Sequence, residues 1–229
     1  MLTIGLREFR SLFKSVRSII IILFIFGVTL GAARLISQFN MEVKEAGLSG
    51  NAYMGGLVLI ILTFGPLFVT SLSHQVVNGE VHSRTIRFLA TKTSRENIVL
   101  GKFLGTAMYW IVCILIASLL VIPFAKAFFI VEFVQAIIFV LYFIGLTTLL
   151  STSIHKPSMT MFLGIVISIA MPVLGTWGTF SNNVFLKAFS YLTPYFYYFQ
   201  EETWTVYFVI GFPILFLLGS LLMIRRRDF

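Results

Sequence analysis

Charge is scarce in this chain of 229 residues. Asp, Glu, Lys and Arg make up 11% of it, less than half the share in an average soluble domain, while 58% is hydrophobic. A single cysteine, Cys113, excludes an intrachain disulfide and a thiolate metal site. His74, His82 and His155 lack an associated carboxylate cluster and the His-Glu-x-x-His spacing, so they carry no metal-centre signature. Gly101-Lys102 runs into Phe103 and has no glycine five residues upstream, so the loop that cradles phosphates in nucleotide-binding chains is missing. Very few ionisable side chains fall inside the long apolar runs, which leaves a proton relay or ion-coupled carrier little to work with.

What the chain has in abundance is apolar surface. Phe alone occurs 25 times, more than a globular domain of this size could bury, so lipid must be the solvent for most of these side chains. A helix that crosses a ~30 Å hydrocarbon core needs ~20 mostly apolar residues. Six stretches qualify: 18–36, 54–73, 104–124, 128–150, 159–177 and 206–224. The expectation is an all-α integral membrane protein, a single transmembrane domain over 1–229. The third and fourth spans, joined by only a few residues around Ala125 to Ala127, form a tight hairpin. Pro66, Pro123, Pro172 and Pro213 sit in or at the ends of spans, where neighbouring helices can satisfy the carbonyls they free.

The net charge of +8 lies between the apolar runs instead of forming one patch with interleaved aromatics, which argues against nucleic acid as a partner. Counting Lys and Arg by connection gives the topology. Thirteen of the 17 fall in the N-terminal segment, the loop after the second span, the fourth connection and the C-terminus. Arg34, Lys44, Lys126 and Lys187 fall on the other side. The positive-inside rule then puts both termini in the cytoplasm of a bacterial-type cell membrane, in agreement with an even number of spans. Gly31-Ala32-Ala33 resembles a signal-peptide cleavage site, but Arg34 follows it directly and five more spans come after, so the first helix is expected to be retained.

Two segments are not lipid-soluble. In 1–17, Leu2, Leu6, Phe9, Phe13 and Val16 recur at helical spacing, with Arg7, Arg10, Lys14 and Arg17 on another face. This predicts an amphipathic helix lying in the inner headgroup layer. The 74–103 loop, at about 30 residues, is far longer than a turn requires. Val77, Val81, Phe88 and Leu89 share one helical face, Glu80 and Arg84 are spaced for an i,i+4 ion pair, and Thr93 with Glu96 has the form of a capping box. The loop therefore predicts a short amphipathic helix, a break near Ala90 to Lys92, and a helix entering the third span: a folded cytoplasmic docking surface. Phe88 stands out as its buried anchor.

The order of residues in that loop resembles type-2 ABC transporter permeases. Those carry an acidic residue, a Gly-Thr pair, two apolar residues, a Pro-x-Ser-Arg turn and an apolar-Gly-Lys entry to the third span. Here stand Glu80, Thr85, Phe88-Leu89, Thr93-Ser94-Arg95 and Leu100-Gly101-Lys102. Arg84 replaces the glycine and Lys92 stands near the proline position. The basic N-terminal helix, the six spans, Tyr191-Leu192-Thr193-Pro194-Tyr195 and the terminal Arg-Arg-Arg-Asp-Phe resemble the same family. The resemblance implies a non-catalytic subunit, with ATP and Mg held by a separate ABC ATP-binding subunit and no cofactor on this chain. It also implies a second permease copy or homologue, a cytoplasmic coupling helix between spans two and three, and export of a hydrophobic or amphipathic substrate such as a peptide, lipid or drug. Docking of the ATPase would fall to Glu80, Arg84, Thr85, Arg87, Phe88, Leu89, Ser94, Arg95, Gly101 and Lys102. The alternatives are an intramembrane enzyme and a non-transporting scaffold. Glu201-Glu202 resembles the paired glutamates of intramembrane prenyl-protein proteases, but Thr203-Trp204-Thr205-Val206 follows without the arginine they need. The external 178–205 loop, with Tyr191, Tyr195, Phe196, Tyr197, Tyr198, Phe199 and Trp204, is expected to form an aromatic belt at the outer headgroups.

Overall fold

A computed structural model describes residues 1–38, 50–82, 93–200 and 202–225. Among these residues every regular element is helical, and six helical runs are long and apolar enough to cross a membrane. The protein is an all-α integral membrane protein.

The first helix, α1 (Leu2–Lys14), ends where Ser15 takes an extended backbone, and the chain turns directly into the first span, α2 (Val16–Gln38). After a short 3-10 turn (Gly50–Met54) comes the second span, α3 (Gly55–Ser73), followed by α4 (Asn78–His82). The third span, α5 (Arg95–Ala125), is 31 residues long and extends well beyond the apolar run into the polar zone at the basic end. Lys126, in the left-handed conformation (φ 55°), makes the tight corner into α6 (Ile130–Ser153). The fifth span is α7 (Pro157–Phe180). Two short helices follow, α8 (Val184–Ser190) and α9 (Pro194–Tyr198), and a 3-10 stretch (Thr203–Ile210) then leads into α10 (Gly211–Arg225).

The fourth span is the most enclosed of the six, packed between α3, α5 and α10. Its Ile137, Val140, Leu141 and Ile144 lie against Trp110 and Ile114 of α5, while Phe139 packs on Tyr195 and Tyr198, and Tyr142 on Phe212 and Phe216. The peripheral spans turn large apolar side chains outward, such as Phe162, Ile169 and Trp177 of α7 and Leu215 and Leu222 of α10. That arrangement inverts a soluble protein and suits a lipid surround.

Small residues set where helices touch, because between helices in lipid there is no hydrophobic drive and close backbone approach replaces it. The closest approach joins α1 to the first turns of α5. A Cβ on Gly101 would lie 2.9 Å from the Met1 carbonyl oxygen, and one on Gly105 would collide with the backbone of Gly5. This geometry changes the expected posture of α1. Its sealed stripe is Gly5 and Leu12, whereas Leu2 and Leu6 of the apolar stripe remain exposed toward the membrane. Val16 belongs to the first span, not to α1. Helix α1 thus has three faces: a small-residue face on α5, an apolar face for lipid and a basic face for solvent.

The start of α5 also differs from the capping box expected at Thr93. Ser94 is the N-cap, its hydroxyl accepting from the Asn97 N–H at 3.3 Å. Glu96 does not reach back to a cap; its carboxylate accepts from Arg225 at the end of α10.

Gly105→Leu is therefore expected to force α1 off α5, an overpacking cost of about 1–3 kcal/mol. The purified protein should show a lower unfolding midpoint in detergent. Gly27→Leu, where an added Cβ meets nothing within 4 Å, should leave the midpoint in place.

Candidate coupling site at the basic end

At the end of the bundle that carries the N-terminus, three segments far apart in sequence converge on one ammonium. Lys102 sits two turns into α5, where the α1 contact covers it, and is only 5% exposed. Its Nζ donates to Glu8 of α1 at 3.1 Å and pairs with Glu80 of α4 at 2.9 Å. Arg7 closes the group from the solvent side, its guanidinium 3.5 Å from Glu80. A buried ammonium costs several kcal/mol in lost hydration unless partners replace the water. Here two carboxylates do so, and the third span can bury its lysine only if α1 and α4 are both in place.

A second, neutral cluster anchors the other side of α4. Asn78 is fully buried. Its Nδ2 donates to the Thr160 hydroxyl at 2.7 Å and to the Ile154 carbonyl at 3.2 Å. Its Oδ1 accepts from the Ser151 hydroxyl at 3.1 Å. That same oxygen of Ser151 accepts the backbone N–H groups of Val77 and Asn78 at 3.0 and 3.1 Å. These are donors that the break between α3 and α4 leaves without helical partners. The start of α4 is thus fixed to the end of α6 and the start of α7, while Glu80, two residues on, is fixed to α5 and α1.

Between α1, the end of α3 and the start of α7 lies a cavity of about 580 Å³ with a largely polar lining. Arg17, His74, Gln75 and the Glu80–Lys102 pair face it. The His74 Nδ1 lies 3.1 Å from the Ser71 carbonyl oxygen, which orients the ring along the end of the second span.

Of the residues expected from sequence to form the docking surface, the structure brings Glu80 and Lys102 into direct contact. Gly101 serves the α1 contact, Ser94 caps α5 and Arg95 opens it. Arg84, Thr85, Arg87, Phe88 and Leu89 lie outside the described residues, as does the anticipated Glu80–Arg84 pairing. Sequence reasoning missed Glu8, Arg7 as an ion-pair partner, Asn78, Ser151 and Thr160. One signal was available: Glu8 is a lone acid among three cations on α1. Another was the Gly101-x-x-x-Gly105 spacing, a recognised helix-association motif. Nothing local marks Asn78, which sits in an Asn-Gly pair that resembles a turn.

If the ammonium is what allows α1 and α4 to pack on α5, Lys102→Met should destabilise the fold by about 3 kcal/mol or more. It removes the buried ammonium from between Glu8 and Glu80 and leaves only the exposed Arg7 beside Glu80. Adding Glu8→Gln and Glu80→Gln should recover most of that loss. Thermal unfolding in detergent across the four single, double and triple variants reads it directly.

Comparison with curated proteins finds no match for this chain. The sequence profile described as "ABC-2 family transporter protein" matches residues 2–224, nearly all of it, from the start of α1 to the penultimate residue of α10. Six apolar spans, a basic end where three segments are knitted together by charge, and a family match along nearly the whole length converge on one assignment: the chain belongs to the ABC-2 transporter family and is a membrane-spanning permease of an ABC transporter.

Proposed function

We propose that this chain is the pathway-forming subunit of an ATP-driven exporter for a hydrophobic or amphipathic substrate. A separate ATP-binding subunit, carrying the nucleotide and Mg, docks at the basic end of the bundle. The observation that carries this reading is the Lys102 centre. It ties the segment following the second span to the third span and to α1, so a push on that segment is delivered to three elements at once. Asn78 extends the same push to the fourth and fifth spans.

In this reading the basic end faces the cytoplasm of a bacterial-type cell membrane, as the charge distribution favours. ATP-driven closure of two ATP-binding subunits presses on the segment between α4 and α5. Glu80 and Asn78 pass the displacement to opposite sides of the bundle, and the spans tilt. A second copy or homologue of the chain supplies the other wall of the pathway. The exposed apolar faces of α2, α7 and α10 offer surface for both lipid and that partner.

Two measurements test it. Copurification with the ATP-binding subunit and stimulated ATP hydrolysis should both fall in Phe88→Ala and Leu89→Ala, by thirtyfold or more in association for a central aromatic anchor. Survival of both in both variants would overturn the docking assignment. The chain purified alone should hydrolyse ATP no faster than a mock preparation. Orientation is read separately, by membrane-impermeant labelling of single cysteines in a Cys113→Ala background. Position 82 should be labelled only in opened cells, and position 187 in intact ones.

A further inference from the structure

At the end of the bundle opposite Lys102, the 178–205 segment divides its aromatic side chains between the surface and the interior. Trp204, Phe199 and Tyr191 are exposed, but Tyr195 is 2% exposed and Thr193 and Pro194 are buried. Helices α8 and α9 fold back against the end of α7. Gly178 lets the Leu186 carbonyl approach, and Gly175 lets Thr193 and Tyr195 approach.

Three tyrosine hydroxyls hold this segment in place, each donating to a backbone carbonyl. Tyr198 donates to Gln135 of α6. Tyr142 of α6 donates to Leu192 at 2.7 Å. These two bonds make the segment one body with the fourth span. Tyr195 is different: it reaches the second span, donating to the Leu62 carbonyl at 2.8 Å. Leu62 stands four residues before Pro66, inside α3. Proline has no N–H, so the helical bond that would take the Leu62 carbonyl cannot form. The Tyr195 hydroxyl supplies it. Burial pushes the Tyr195 phenol far above its ordinary value, so it remains a donor throughout the physiological range.

We propose that Tyr195 is a positioning residue that holds the far-end segment closed over the spans through the carbonyl Pro66 frees, and that this bond breaks when the pathway opens on that side. The inference rests on the transport reading above. Its logic is the placement of the bond. The other two tyrosine bonds tie the segment to α6, and among the three only this one reaches α3. The bond also sits at the one turn of α3 where proline removes a backbone bond, so the part of α3 from Pro66 to Ser73 can swing with one helical bond fewer to hold it. That part is roughly 12 Å long and leads through the turn at 74–77 to the Asn78 and Glu80 clusters. A displacement applied there reaches Leu62 as a change of angle, and the tyrosine must follow or let go.

The test uses the full chain with its ATP-binding partner in nanodiscs, in a Cys113→Ala background, with Thr193→Cys as a reporter. Thr193, within the segment, is fully buried where the segment packs against Gly175 of α7, so a maleimide reaches that position only when the segment lifts. Without nucleotide, Tyr195→Phe should speed labelling about tenfold. ATP should speed it in the protein that keeps Tyr195. Pro66→Ala restores an N–H that can take the Leu62 carbonyl internally, so Tyr195→Phe on that background should change labelling by less than about threefold. Unchanged labelling in Tyr195→Phe, or an equally large rise on the Pro66→Ala background, would overturn the proposal. If Tyr195→Phe acts as described but ATP leaves labelling unchanged, the bond holds the segment and the transport reading is what has failed. If Tyr195→Phe alone is not recovered as folded protein, recovery of the double variant supports the shared carbonyl, and loss of both counts against it.

Discussion

A lysine ammonium withdrawn from water governs how the basic end of this protein is built. At an effective dielectric near 20, each of the two contacts around Lys102 is worth roughly 5 kcal/mol of attraction, against several kcal/mol of lost hydration per ion. One carboxylate would leave the balance close; two tip it toward burial. Glu8 and Glu80 come from segments separated by two spans, so satisfying Lys102 requires α1 to lie along α5 and the end of α3 to turn toward it. The glycines at 5, 101 and 105 then become intelligible. They bring the two helix axes near enough for a glutamate side chain to reach the lysine of the neighbouring helix, and a larger residue at any of them would hold the charges apart.

Lipid imposes the complementary constraint on the rest of the bundle, since a carbonyl or hydroxyl inside hydrocarbon has no water to turn to. Many hydroxyls solve this within their own helix: Thr106, Ser118, Thr147 and Thr148 each donate to the carbonyl four residues back. These bonds are local and tie nothing together. The bonds that organise the fold arise where the helical ladder itself is broken. The turn after α3 leaves the N–H groups of Val77 and Asn78 open, and Ser151 takes both. Pro66 leaves the Leu62 carbonyl open, and Tyr195 takes it. The Thr70 and Ser168 hydroxyls, 2.9 Å apart, add a direct link between the second and fifth spans, at the level where Gly164 lets Thr70 approach closely. Interruptions in regular structure thus determine which spans are cross-linked.

This division explains what the sequence revealed and what it hid. Six spans and a basic, helical N-terminus are legible because hydropathy and i,i+3/i+4 spacing are properties of one segment at a time. Glu80 and Lys102 are legible because the family pattern places them, although nothing in the pattern says that they touch. The Glu8–Lys102 contact bridges 94 positions and the Asn78 cluster bridges 73 to 82, and no local periodicity reports partners at that distance. The aromatic loop hides a partner for a related reason. A tyrosine at headgroup depth and a tyrosine donating to a proline-freed carbonyl look the same in sequence, and only the position of Pro66 in the folded second span separates them. The cap at Ser94 instead of Thr93 is a smaller case: Glu96 is drawn away by Arg225, a partner 129 residues distant.

The second span is held beyond its basic end and at its interior proline by bonds of different strength, and the difference has a direction. Near the basic end, the residues following α3 are fixed by an ion-paired centre and by five hydrogen bonds centred on Asn78 and Ser151. At Pro66 the same span is fixed to the far-end segment by one neutral hydroxyl-to-carbonyl bond. Charge-assisted hydrogen bonds are roughly twice as strong as neutral ones, and a single neutral bond contributes only about 0.5–1.5 kcal/mol net. A load applied to α4 is therefore carried intact by the basic end, where breaking a contact strands a buried charge or several buried polar groups at once. It is relieved at the far end, where one bond gives way and leaves one carbonyl to find water. The helix is also weakest at that turn, because proline has already removed the backbone bond there. Strength, stiffness and the placement of polar groups all point the same way along α3: under the proposed transport cycle, force entering beside Glu80 would leave the bundle as motion beside Tyr195.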